Sequence, residues 1–493
     1  MGLQHKIGQQ SGGLRKGSLL TVVAAGALLA AACGSSSTGS SGTGAIANPG
    51  VPSTLSVSSF TTDIAGTMGT LKTLTNYATK GGENSLLIGV ILPDTTSSTR
   101  WVDFDQPYLN AALADAGFKG PEYRIDNAQG SDAVELNDAT ADINLGAKVL
   151  IMCPLDGPTG VAIAQAAAKA GVTLISYDRA TFQGSQTYYV SFDNEAVGEA
   201  IGNGFLACVT AWNVKSPQVF VLNGGEDTDP NAISFADGYN KVVWGTSAKT
   251  VAAGTTNSQG MALVGENYAP GWSNTQGGTI FQNEFTSHPS INATIEANDG
   301  LGSAVVNDLK AAGVKAKTIP VTGQDATAQG MAYILSGYQC GSVYKPVYKE
   351  AQDAVAMAIV LLSGNKVPAA LLNGKTTDPA DSTITEPASL LTATWVNAAN
   401  MESTVVKDGF DPASAICALA TAAECSAAGI SKRPADSDQV TLPGRPSGRP
   451  GLSHHRRTSA PRKWVGRSSK YADAETKRVR RRPHVNANGA IFF

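Results

Sequence analysis

The chain has 493 residues, 42% of them hydrophobic and 16% charged, which excludes disorder throughout and allows two or three domains of ordinary size. Its net charge of −3 hides an asymmetry: residues 431–493 carry 15 Lys/Arg against 4 Asp/Glu, so the rest of the chain is acidic as a group. His288 is the one histidine between the N-terminal region and residue 430, and no GxxxxGK[ST] loop occurs, which excludes Ser-His-Asp, Cys-His and His-rich metal centres and a nucleotide-binding P-loop.

Lys6, Arg15 and Lys16 precede an uncharged apolar run, residues 19–32, that ends at Cys33. A basic segment, an apolar run of this length and small residues before the cut describe a secretory signal over 1–33. The run is too short to span a bilayer comfortably. Residues 34–84, rich in Gly, Ser and Thr, read as a flexible linker. Five cysteines follow Cys33. Cys417 and Cys425 are the closest candidate pair, whereas Cys153 and Cys208 sit in apolar runs and read as core residues.

From residue 85 strand and helix patterns alternate. Strands are expected at 85–93, 122–126, 148–155, 172–178 and 188–193, with helices at 102–117, 132–146 and 158–171 between them. The rhythm restarts with a helix at 195–209, strand 218–223, helix 233–244, a strand-like segment at 250–254 and a helix near 279–287. Strand 293–298, helix 303–313 and strand 318–322 follow. Continuous apolar strands between helices predict parallel sheets covered on both faces. Such a length exceeds one doubly wound domain, so two α/β lobes are expected. The N-terminal lobe covers 85–193, with a return at 344–390; the C-terminal lobe covers 194–343, with 391–430.

Open parallel sheets bind ligands beyond the carboxyl ends of their strands, and here those ends repeat one chemistry. Asp94 is followed by Arg100-Trp101; then come Asp156, Asp178-Arg179, Asp193-Asn194, Asp229 with Asn231, Asn298-Asp299 and Gln324-Asp325. Ahead of residue 431 the arginines are Arg15, Arg100, Arg124 and Arg179, and two of these four stand at strand ends. Guanidinium forks and carboxylates suit vicinal hydroxyls, and Trp offers a flat apolar face to a sugar ring. The same Asp and Asn residues also fit the plainer role of helix caps.

Tyr177-Asp178-Arg179, Ser191-Phe192-Asp193-Asn194-Glu195, Asn298-Asp299, Gly323-Gln324-Asp325-Ala326, Val343-Tyr344-Lys345-Pro346 and Val406-Lys407-Asp408-Gly409-Phe410 occur in that order. Together they resemble the xylose-binding proteins of ABC sugar importers, with similar spacing over residues 86–410. The resemblance implies a type I periplasmic-binding fold: α/β, two doubly wound parallel-sheet lobes joined by three crossing segments. It implies capture of a monosaccharide, xylose or similar, by lobe closure, and delivery to ABC permease subunits in the membrane. Ligand contacts are implied for Arg100, Trp101 and Arg179 from the first lobe. Asn231, Trp272, Asn298, Asp325 and Lys345 would come from the second lobe and hinge side, with Trp101 and Trp272 as faces of an aromatic sandwich. Pro230 stands where the family pattern more often has Asn, which leaves the exact sugar open.

No catalytic residue, cofactor or metal is expected, and a monomer is expected. Leu29-Ala30-Ala31-Ala32-Cys33 resembles the lipobox of bacterial lipoproteins, which implies lipidation at Cys33 and an anchor on the outer face of the cytoplasmic membrane. A sensor presenting sugar to a receptor or kinase fits the same features; a secreted carbohydrate-active hydrolase fits them less well. A sugar-responsive repressor shares the architecture but needs an N-terminal DNA-binding helix pair where this chain has a signal. The basic stretch 431–493 lacks apolar periodicity and reads as a disordered tail, an out-of-frame or unselected extension with no nucleic-acid partner.

Overall fold

The computed structural model describes residues 52–60, 69–74, 85–182 and 187–430. The signal, Cys33 and the 431–493 tail lie outside the described residues. Ahead of the first strand, a single turn (Val57–Ser59) and a short helix, α1 (Gly69–Leu74), bury Leu55, Phe60, Leu71 and Leu74 in the first lobe's hydrophobic core. The linker reading of 34–84 is therefore corrected for these pieces. Four large apolar side chains at this spacing gain more from burial than a Ser/Thr-rich chain loses in entropy.

The first lobe carries β1 (Ile88–Leu92), β2 (Tyr123–Asn127), β3 (Val149–Met152), β4 (Thr173–Tyr177) and β5 (Thr187–Phe192). Helices α2 (Gln106–Asp115), α3 (Asp132–Leu145) and α4 (Gly157–Ala170) alternate with the first four strands. β1 and β3 are buried at every residue, as central strands covered on both faces must be, and β2 is half-buried at the edge. Helix ends follow local chemistry: Asp156 accepts the Thr159 N–H at 2.7 Å to start α4, and Gly171, at φ +70°, ends it.

The second lobe begins with α5 (Asn194–Ala211), β6 (Gln218–Gly224), α6 (Pro230–Trp244), β7 (Ala262–Ala269) and α7 (Asn274–Ser287). It continues with β8 (Ala293–Glu296), α8 (Asp299–Ala311), α9 (Ala328–Ser336) and β9 (Ser342–Tyr344). The chain then returns to the first lobe through α10 (Val347–Leu362), β10 (Gly374–Thr377) and β11 (Thr385–Leu391). It crosses again into β12 (Thr394–Val396), and ends with α11 (Ala413–Leu419) and α12 (Ala422–Ala427).

The first sheet runs β10-β11-β5-β4-β3-β1-β2, all parallel except β10. In the second lobe β7-β6-β8 are parallel and β9 pairs antiparallel with β12. Crossings at 192–194, 344–347 and 391–394 make the three-segment hinge; Asp193 N–H donates to Leu391 O at 3.1 Å where two of them meet. These are the expected fold class and crossing count.

Four local expectations are corrected. No strand forms at 250–254; the strand of this region is β7, whose half-buried edge position hides its pattern. Residues 318–322 run beside β8 without becoming a regular strand. Pro320 has no N–H, and side chains replace the missing ladder: Thr322 N–H donates to the Glu296 carboxyl at 2.8 Å, and Glu296 N–H to Thr322 Oγ1 at 2.8 Å. Cys208 is buried as a core residue should be, but it is bonded to Cys340; Cys417 pairs with Cys425 and Cys153 stays free. Finally, 401–430 does not belong to the second lobe alone. Phe410 stacks on Phe104 with centroids 4.1 Å apart, and Met401, Val405 and Ile416 join the same core as α2.

Candidate functional site

The turn after β1 is tied by Asp94, whose carboxylate accepts from the N–H groups of Thr96 and Ser97 at 2.7 and 2.6 Å. It delivers Ser97, Ser98, Arg100 and Trp101, and a wide turn at Trp101–Asp105 leads into α2. After β4, Asp178 adopts φ +62° and points the chain to Arg179. After β6, Asp229 caps α6 by accepting the Asn231 and Ala232 N–H groups at 2.8 and 3.2 Å. Asn298 caps α8 through Oδ1, 2.9 Å from Leu301 N, which leaves its amide donors for other partners. So the capping reading holds for Asp156, Asp193, Asp229 and Asn298, and Asn298 also faces the cleft.

Arg100, Trp101, Arg179, Asn231, Trp272, Asn298, Asp325 and Lys345 line one cleft between the lobes, with Ser97, Ser98, Asp178, Phe235 and Gln324; about 320 Å³ of space lies within its lining, open solvent included. Asp178 and Gln324 stood inside motifs already singled out. Phe235 lies one helical turn after Asn231, a spacing that could have found it. Ser97 and Ser98 carry no signal beyond their place after a strand. Among the described residues, eight non-glycine positions have positive φ, and Asp178, Trp272 (+56°) and Asp325 (+94°) are three of them. Backbone held this way concentrates where side-chain direction matters more than local stability.

The two arginines differ. Arg100 gives Nε and Nη2 to Asp105 at 2.8 Å each, Nη2 also to Glu350 at 3.0 Å, and Nη1 to Asp178 at 2.6 Å. Most of its donors are thus held by the protein. Arg179 donates from Nη1 to the Pro154 and Leu155 carbonyls at 3.1 and 3.4 Å. Its Nε and Nη2 bond to nothing among the described residues. In the same cleft, Asp325 Oδ1 and Gln324 Oε1 are buried acceptors with no hydrogen-bond donor among the described residues. A buried acceptor such as Gln324 Oε1 is rare in folded proteins because its desolvation cost is unreturned, whereas Asp325 Oδ1 has the longer ion pairs to Lys345 and Arg100 at 3.6 and 3.8 Å.

Lys345 lies in the hinge, its Nζ 3.2 Å from Asp178 and 3.6 Å from Asp325, one carboxylate from each lobe. Burial alone would raise Asp178, but Arg100, Lys345 and Arg179 outweigh it and hold the carboxyl below its ordinary range. Asn231 reaches from the second lobe to the Asp178 carbonyl at 2.9 Å, and Ser98 from the first to Asp325 at 3.0 Å. The lobes are closed on each other.

Trp101 and Trp272 both line the cleft, each held by its own partners. Trp101 has the Arg100 and Arg179 guanidinium carbons 4.5 and 5.5 Å from its ring centroid, and its Nε1 donates to Ser97 Oγ at 3.2 Å. Trp272 is buried, donates to Asp229 at 2.8 Å and meets Phe235 edge-on at 6.2 Å. Gly224 makes room for it: a Cβ there would lie 1.9 Å from the indole ring.

Residues 88–366 match the model of the periplasmic binding protein domain, more than half of the chain. This chain belongs to the periplasmic binding protein family. The D-xylose-binding periplasmic protein of Haemophilus influenzae is 28% identical over 338 residues, 68% of this periplasmic binding protein and 94% of the relative. Its Escherichia coli counterpart is 29% identical over 339 residues, with the same shares. A carbohydrate transporter solute binding protein from Chloroflexus aurantiacus, solved with D-glucose, superposes with a TM-score of 0.55 at 26% identity, covering 67% of this chain and 98% of that one. The family resemblance carried by the strand-end motifs is thereby borne out, and a location outside the cytoplasm follows from it.

Proposed function

We propose that this periplasmic binding protein captures a neutral monosaccharide, D-xylose or a close relative, between its lobes and presents it to an ABC permease without converting it. One observation carries the reading: the uncommitted Arg179 fork stands in the same cleft as the undonated acceptors Asp325 Oδ1 and Gln324 Oε1. A polyol supplies both acceptors and donors, so it satisfies both sets at once. Arg100 and Lys345 pair with Asp178 and Asp325, Asp105 and Glu350 stand behind Arg100, and Arg179 adds a third cation to these four carboxyls, so no net positive field is left for an anion. The relatives' D-xylose and D-glucose support the ligand class. All eight residues named from the sequence are proposed as ligand contacts, with Arg100 the most occupied by the protein itself.

The same proposal places 1–33 as the export signal, Cys33 as the lipidated anchor residue on the outer face of the membrane, and the protein as a monomer. Calorimetric titration of the full-length protein with D-xylose, D-glucose, D-ribose and myo-inositol tests the ligand class. Saturable binding of at least one pentose or hexose is expected, and absence of binding to all four would overturn it. Radiolabelled fatty acid incorporation that survives Cys33→Ala would overturn the anchor.

A further inference from the structure

Behind Arg100, on the side away from the cleft, stand two carboxyls that do not line it, Asp105 and Glu350. Asp105 takes two of the guanidinium's N–H groups at 2.8 Å and is itself held by Tyr177 Oη at 2.7 Å. Glu350 takes a third at 3.0 Å from the first turn of α10, immediately after the crossing segment that carries Lys345 and Pro346. With these bonds made, Nη1 is aimed at the cleft, 2.6 Å from Asp178 in the first lobe and 3.8 Å from Asp325 in the second.

We propose that Glu350 is a positioning residue of the sugar site: it fixes the Arg100 guanidinium against the hinge helix so that Nη1 meets the ligand and the second lobe. The inference rests on the sugar reading above. Around Arg100, Lys345 and Arg179 the protein buries four carboxyls, Asp105, Asp178, Asp325 and Glu350, and a low-dielectric site disfavours the one anion in excess of its three cations. Burial raises Asp105 and Glu350 while Asp178 is held low, and of the two raised carboxyls Glu350 has the fewer hydrogen bonds to hold it ionised. Its Oε1 receives no hydrogen bond among the described residues, and the groups facing it are Arg100, Asp178, Lys345, Asp105, Tyr177 and Tyr189. Burial pushes its carboxyl well above the ordinary range, and Arg100 opposes this without cancelling it. Position, rather than charge, is therefore what Glu350 contributes.

Two conservative variants separate position from charge. Glu350→Gln keeps the acceptor in place without an ionisable group, and Glu350→Asp keeps the carboxyl but withdraws it by one methylene. In the full-length protein, D-xylose affinity measured by calorimetry should stay within about threefold of wild type in Glu350→Gln and fall about fivefold or more in Glu350→Asp. In an Arg100→Lys background, where the fork is gone, Glu350→Asp should add less than about twofold, whereas a merely structural role would add its full effect. Glu350→Gln as weak as Glu350→Asp, or additive effects with Arg100→Lys, overturn the proposal. If wild-type protein binds none of D-xylose, D-glucose, D-ribose and myo-inositol, the sugar reading fails first and this proposal falls with it.

Discussion

Ser98 Oγ donates to Asp325 Oδ2 across the cleft at 3.0 Å, joining two lobes through residues 227 positions apart. This bond exists only when the lobes are closed, so it contributes to the closed population and not to the fold of either lobe. Ser98→Ala removes one hydrogen bond to a charged acceptor, about 1.5–3 kcal/mol at most. We expect D-xylose affinity to fall about tenfold with an unchanged melting temperature. Small-angle scattering should show a larger radius of gyration without ligand; an unaltered radius and affinity would mean the bond does not govern closure.

Arg179 is buried, yet two of its three nitrogens bond to nothing among the described residues. Those donors are free for a ligand, in contrast to Arg100. Arg179→Ala should cost two charge-assisted bonds, about 3–4 kcal/mol, or a hundredfold or more in affinity. Circular dichroism and melting temperature check that the fold survives. A large loss of stability with modest loss of binding would assign Arg179 to structure.

Gly224 ends β6 directly beneath Trp272, with no room for a methyl group between them. Gly224→Ala forces the indole away from Gly224 and breaks its edge contact with Phe235 or its bond to Asp229. Overpacking of this kind costs about 1–3 kcal/mol. Sugar affinity should fall alongside, and the tryptophan fluorescence change on D-xylose addition should shrink. Wild-type fluorescence response and stability in the variant would show that the loop yields freely.

The fold was legible because strands such as Ile88–Leu92 and Val149–Met152 are unbroken apolar runs, which parallel sheets covered on both faces require. The site was legible because its residues follow those strands and keep a family order. What stayed hidden lacked a local signature. β7 is a half-buried edge strand of mixed polarity, and the Cys208–Cys340 bond joins residues 132 apart. Pairing over such a distance is a property of the folded chain, not of any window of sequence. The Arg100 knot stayed hidden for the same reason: Asp105 and Glu350 meet it from separate helix starts, so the sequence shows an arginine near a strand end without showing which carboxyls hold it.

Stability should depend on pH through buried carboxyls of both lobes. Burial raises Glu296 to about 8, opposed by Thr294 and Thr322, and raises Asp353 to about 8, opposed by Ser389. Folded protein therefore keeps protons that the unfolded chain has released above about pH 4. Where the folded state binds more protons, stability falls as pH rises, here from about pH 4 to about pH 8, and is flat above. Asp178, held low, acts oppositely and its contribution is lost as pH falls through the acid range. The melting temperature should be higher near pH 5 than near pH 9, and Glu296→Gln should narrow that difference. An identical pH profile in wild type and variant would mean Glu296 is already ionised.

The two disulfides should differ in weight. Cys208, on α5, and Cys340, just ahead of β9, close a separation of 132 residues, whereas Cys417 and Cys425 close 8. On chain entropy alone the longer loop is worth about 5 kcal/mol and the shorter about 2.5 kcal/mol, because the unfolded chain loses more freedom when distant residues are tied. The Cys208–Cys340 bond also holds the first helix after one crossing to the approach of the next, so it braces the second lobe where the hinge leaves it. Cys208→Ser with Cys340→Ser should lower the melting temperature roughly twice as far as Cys417→Ser with Cys425→Ser. Sugar affinity at 25 °C should be kept in both variants, since neither bond touches the cleft. Equal losses of stability would indicate that native-state strain or residual unfolded structure, rather than loop length, sets the contribution of each bond.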